Sequence, residues 1–188
     1  VNYENNPVGE FKDGFRQLYE TSGEGKSQGI KLRLQLPKSW AMDEGNRPHI
    51  VQKWLSQNGT GLEMIHLDIR DNQGYTPTDE EVEDFFASGV LKDTLPLMLK
   101  GTYINSGLFS LEMRKGYWLE MSKINERLDN KFYVHLFMYQ FFFREKAIMI
   151  MAQVMGSMEE KTKVDQSFER FRPLFKAVIN SLVLLQAY

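Results

Sequence analysis

The sequence predicts an α+β fold: a largely antiparallel sheet of about seven strands covered by two or three helices in an α/β/α-type sandwich. Three observations carry this expectation. Ile30, Leu32, Leu34 and Leu36 alternate with Lys31, Arg33 and Gln35, the period of a strand with one wet face. Between 101 and 155, extended apolar or alternating stretches are separated only by short polar turns, the layout of a four-strand meander. Phe168, Phe171, Phe175, Val178, Ile179 and Leu182 recur at steps of three and four, the stripe of an amphipathic helix.

The elements follow in chain order. Phe11, Phe15, Leu18 and Tyr19 stand at helical spacing in a polar stretch, which predicts a short helix weakened by Gly14. Residues 21–29, TSGEGKSQG, have linker composition. Residues 1–29 are therefore expected to form an N-terminal arm and flexible linker, usable as a tether, and residues 30–188 a single α+β sandwich domain. Pro37 ends the first strand because it cannot donate to a ladder, and Trp40 is expected to cap the core. HIVQKWLS and LEMIHLDIRD read as strands joined by a tight turn at Asn58-Gly59. On the second of them Ile65, Leu67 and Ile69 share one face, His66 and Asp68 the other. Thr78 and Glu81 form a capping box, and Asp79 and Glu80 suit the positive end of a helix dipole. Val82, Phe85, Phe86 and Val90 make that helix's stripe, so the acidic run 79–84 is a start signal plus a solvated face. Gly89 and Pro96 leave its end open.

In the meander, GTYINSGLFSLEM carries Gly107 as a candidate bulge and turns at Arg114-Lys115-Gly116 into YWLEMSKINER. Turns at 128–131 and 144–146 lead to FYVHLFMYQFFF and AIMIMAQVM. FYVHLFMYQFFF is apolar at both parities, the mark of a strand covered on both sides. A membrane-spanning helix needs about twenty apolar residues. This run is shorter, contains His135 and Gln140, and stops at Arg144-Glu145-Lys146, so an integral membrane protein is not expected. The C-terminal stripe predicts a helix through 166–185 despite Pro173, which removes one backbone hydrogen bond.

This order of elements resembles that of the PsbP-like and DcrB-like α/β sandwich families. The short motif is a strand ending in Pro with a nearby Trp, here Leu34-Gln35-Leu36-Pro37-Lys38-Ser39-Trp40, and a closing helix, here Phe171 to Leu182. The chain departs from the families' usual closing pattern at Asn180-Ser181-Leu182-Val183, and its meander is more aromatic. The resemblance implies an exported, non-catalytic accessory or binding protein, periplasmic in a bacterium, with a cytoplasmic location as the alternative. It supplies no active site to carry over.

Composition narrows function further. A net charge of −2 lacks the basic excess of a nucleic-acid domain. With no cysteine there is no disulfide, thiolate metal site or cysteine nucleophile. No dinucleotide fingerprint, phosphate loop or nucleophile elbow occurs. Residues 69–74 fail the calcium-loop template, since Ile69 stands where an acidic ligand belongs. No cofactor is expected.

What is left is a short set of candidates. His66 and Asp68, two apart on a strand, could hold a metal if a third ligand such as His135 or Glu112 came near; a hydrogen-bonded structural pair is the simpler expectation. Asn58-Gly59-Thr60 fits the glycosylation triplet, though a turn explains it as well. Arg47, His49 and Trp54 are candidates for an exposed patch that docks another protein. Tyr133 and Tyr139 are candidates for polar handles in an aromatic-lined pocket for a small apolar ligand or lipid. The main functional expectation is thus a non-catalytic protein-interaction domain, and the alternative a small-ligand module.

Overall fold

The computed structural model describes residues 2–56 and 62–187. The Asn58-Gly59 turn and the glycosylation triplet lie outside the described residues. A seven-stranded antiparallel sheet runs in the order β3-β4-β5-β9-β8-β7-β6, and a three-stranded sheet in the order β1-β2-β10. The large sheet comprises β3 (Ala41–Asp43), β4 (Ile50–Leu55), β5 (Glu63–Asp71), β6 (Gly101–Leu111), β7 (Arg114–Arg127), β8 (Asn130–Phe143) and β9 (Lys146–Ser157). The small sheet comprises β1 (Arg16–Glu20), β2 (Leu32–Pro37) and β10 (Val183–Leu184). Four α-helices among the described residues complete the fold: α1 (Pro7–Lys12), α2 (Asp79–Ala87), α3 (Leu95–Met98) and α4 (Lys161–Asn180).

The run FYVHLFMYQFFF lies extended in β8, between β7 and β9, and both of its faces are covered. Tyr133, Phe137 and Phe141 join the core beneath α4 and the small sheet. Val134, Leu136 and Met138 pack in a second cluster on the opposite face with Leu119, Met121 and Met149. There α2 and the turn before α3 bring Val82 and Leu91 against Tyr117. Trp40 caps the core as expected, beside Phe171 at 6.2 Å between ring centroids.

Several local expectations are corrected. Residues 11–19 are not one helix. A short α1 stops at Lys12, Gly14 takes a left-handed conformation, and β1 pairs with β2 along its whole length. Phe15, just before β1, and Leu18 within it are exposed, while Tyr19 packs edge-on against Trp54 at 5.0 Å. Packing does not wait for residue 30: Val8 and Phe11 are already part of the core. The strand carrying Leu32, Leu34 and Leu36 belongs to the small sheet, and β3 takes its place at the edge of the large one. The C-terminal helix starts earlier and ends earlier than its apolar stripe, because Val183 and Leu184 leave it to pair with β2. Pro173 sits inside α4 without ending it.

The meander closes through three two-residue turns at Glu112-Met113, Leu128-Asp129 and Arg144-Glu145. Both residues of each turn have positive φ, the hand that matches the twist of the flanking strands. The first turn therefore falls two residues before the Arg114-Lys115-Gly116 site read from the sequence. The β6 bulge falls between Tyr103 and Asn105, not at Gly107.

Candidate functional site

The α4-facing side of β6, β7 and β8 forms an open cleft of about 430 Å³. Its walls include Phe109, Trp118, Phe137 and Tyr139 from the strands, and Arg172, Lys176 and Asn180 from α4. The floor follows from cross-strand pairing. Gly107 lies opposite Trp118, and Phe109 lies opposite Gly116. A Cβ on Gly107 would come within 2.6 Å of the Trp118 indole nitrogen, and one on Gly116 within 2.6 Å of the Phe109 ring. Each glycine thus clears the strand surface so that the ring opposite can lie across it. The two rings meet Tyr139 from neighbouring strands, Phe109 edge-on at 5.5 Å and Trp118 stacked at 6.3 Å. Burial raises the Tyr139 phenol above its ordinary range.

A buried ion network closes one end. Glu120 accepts two hydrogen bonds from the Arg172 guanidinium, at 2.7 and 2.9 Å, and one from His135 Nε2 at 2.8 Å. His135 Nδ1 lies 2.8 Å from Asp165 Oδ1, which also accepts from the Tyr133 hydroxyl at 2.9 Å. Each ring nitrogen of His135 thus faces a carboxylate oxygen. The ring stacks on Phe168 at 3.8 Å, nearly parallel, and Arg172 lies over Phe137 at 4.7 Å. Burial pushes the Glu120 carboxyl up, but the hydrogen bonds from His135 and Arg172 and their charges outweigh it, leaving it at about 2. The same contact to Glu120, opposed by burial and reinforced by Glu169, raises the Arg172 guanidinium further.

The candidates read from the sequence divide between two faces. Tyr139 lines the cleft, and Tyr133 anchors its ion network through Asp165. His66 and Asp68 occupy the opposite face of the sheet, with His66 Nδ1 2.7 Å from Asp68 Oδ1. His49 stands 3.7 Å from the same carboxylate, and Arg70 reaches it at 3.3 Å. Burial lowers the His49 imidazole, assisted by the charges of Arg70 and Arg47 and opposed by that of Asp68. The third ligands suggested for a metal do not arrive. His135 faces α4, and Glu112 sits in the β6–β7 turn. Among the described residues no group of three or more His, Asp or Glu is arranged to hold a metal. Trp54 cannot join Arg47 and His49 in an exposed patch. It is fully buried on the α4 side, because the small sheet covers it through Tyr19. Exposed large apolar side chains occur instead at Leu97 and Met98 of α3, 76% and 73% exposed, and at Ile104 of β6, the strand that α3 contacts.

Sequence reasoning missed Arg172, Glu120 and Trp118. Glu120 was visible as the one acid in an otherwise apolar strand stretch, YWLEM. Arg172 falls beside the apolar stripe of α4, one turn after Phe168.

No family model matches the sequence, and no curated protein does. The fold is similar to that of the Ran-binding protein Mog1p from Saccharomyces cerevisiae, with TM-score 0.51 and 9% identity over 90% of this chain and 95% of that one. It is also similar to LpqN of Mycobacterium tuberculosis, which is involved in cell envelope biogenesis, with TM-score 0.47 and 14% identity over 92% and 93% of the two chains. A protein of unknown function from Pseudomonas aeruginosa, PA94, shows TM-score 0.42 and 11% identity over 90% and 97%. At such identities the likeness is one of fold: an α+β sandwich with a seven-stranded sheet. No helix among the described residues is long and apolar enough to cross a membrane.

Proposed function

We propose that this chain is a non-catalytic binding domain and that the cleft over Trp118 and Tyr139 is its binding site. One observation carries the reading: aromatic rings from three adjacent strands converge with Arg172, Lys176, Asn105 and Asn180 around a single cleft. Its volume is that of a small-molecule site. Histidine, the usual general base, is engaged on both sides at His135, and among the described residues no serine, threonine or cysteine lines the cleft. The reading takes up the small-ligand alternative, and the PsbP-like or DcrB-like element order fits an exported accessory role.

The test is native mass spectrometry of the chain purified from its own host. A small molecule retained by the wild type and lost in Trp118→Ala is expected. The reading fails if nothing is retained and a fragment library leaves the Trp118 indole and the Asn105 and Asn180 amide resonances unmoved.

A second reading, protein docking, is favoured by the exposed Leu97 and Met98 on α3. It agrees with the Ran binding of the Mog1p neighbour. Crosslinking in the host would have to place a partner on those two side chains; crosslinks confined elsewhere would remove this reading.

A further inference from the structure

Resting on the cleft reading, we infer that the occupant is a small molecule with a flat aromatic ring and a single carboxylate. The polar groups of the cleft divide into those already spent and those left to offer. Glu120, the one acidic side chain among the described residues of the wall, already accepts from His135 and from both terminal nitrogens of Arg172. Arg172 in turn is shared between Glu120 and Glu169. Arg172 is engaged by two carboxylates and Glu120 by three hydrogen bonds, so neither is free for a ligand.

The uncommitted groups are mostly donors. Lys176 Nζ, the Asn180 amide, the Trp118 indole N–H and the Tyr139 hydroxyl have no hydrogen-bond partner among the described residues. Asn105 spends its carbonyl oxygen on the Ser106 backbone N–H at 2.9 Å, which leaves its NH₂ to donate. Lys176 is the one cation of the lining with no ion pair among the described residues. A donor-rich cleft with one unmatched positive charge calls for acceptor oxygens and one negative charge.

The apolar part of the occupant follows from the rings. Trp118 and Tyr139 lie 27° apart in plane, and Phe109 meets Tyr139 edge-on, so the occupant meets a wall of aromatic rings. A planar ring packs against such a wall by offset or edge-to-face contact. Lys176, exposed on α4, meets the carboxylate at the rim.

The experiment uses the full chain and four probes: indole-3-acetate, 4-hydroxyphenylacetate and the primary amide of each. Binding is read by calorimetry and by the Trp118 indole resonance. The two acids are expected to bind about fivefold tighter than their amides. Lys176→Met should bring the acids down to the level of the amides while leaving the melting temperature unchanged. If the amides bind as tightly as the acids, or Lys176→Met changes neither, the carboxylate assignment is wrong and the cleft reading survives. If no probe moves the Trp118 resonance and native mass spectrometry finds no retained molecule, both fall.

Discussion

Glu120 concentrates the physical chemistry of this molecule in one side chain. It sits on β7, nearly inaccessible to water, between an arginine from α4 and a histidine from β8. A buried carboxylate is costly unless several donors meet it, and three hydrogen bonds do. Its carboxyl stands at about 2 in the folded chain against an ordinary 4.5. A depressed carboxyl contributes stability that is complete above the unfolded value and is lost as pH falls through the folded one. Glu120→Gln is therefore expected to be less stable than wild type at pH 7, and the gap in urea midpoint should shrink between pH 4.5 and 2. A gap independent of pH across that window would show that the ion network adds nothing. Little of this was legible in the sequence: His135 was visible as a polar residue in an apolar strand, but its partners come from positions 15 and 30 residues away.

At the scale of elements, the β6–β7 hairpin builds the floor of the cleft. Its two-residue turn at Glu112-Met113 sets the register, and the register puts a glycine opposite each large ring. Gly107→Ala should force the Trp118 indole off the strand, since the added carbon would sit 2.6 Å from its nitrogen. The expected cost is about 1–3 kcal/mol, with a shifted Trp118 indole resonance and weaker ligand binding. An alanine variant with wild-type stability and an unmoved indole would remove this account of the floor. Gly107 stood out in the sequence, yet its role did not, because a glycine in a strand signals equally a bulge or a close approach by a neighbour. Local signals were more decisive elsewhere. The Thr78/Glu81 capping box forms as read, since both partners lie within one helical turn. The C-terminal helix was legible from Phe168 onward, but its last apolar residues leave it because β2 offers them a ladder.

Over the whole molecule, two sheets share one core, and chain segments near both ends complete the smaller sheet. β2 receives β1 on one side and β10 on the other, and α1 adds Val8 and Phe11 to the same cluster. Deleting residues 1–20 is therefore expected to lower the urea midpoint and raise hydrogen exchange in β2, whereas a detached arm would be removed without effect on either. Exchange in β8 should stay slowest, because it lies inside the sheet with both faces covered.

The sequence by itself determined the elements whose causes are local: the alternation of β2, the meander, the capped α2, the α4 stripe, and above all the doubly buried β8. It also determined that this sequence carries no cysteine chemistry. The tertiary structure alone decided which sheet each strand joined, that β1 pairs with β2 while α1 joins the core, and that Glu120, His135 and Arg172 meet beside a ring-walled cleft. The physical reason is the range of the interactions. Periodicity and capping act within a few residues, while strand partnership and ion networks depend on side chains that only packing brings together.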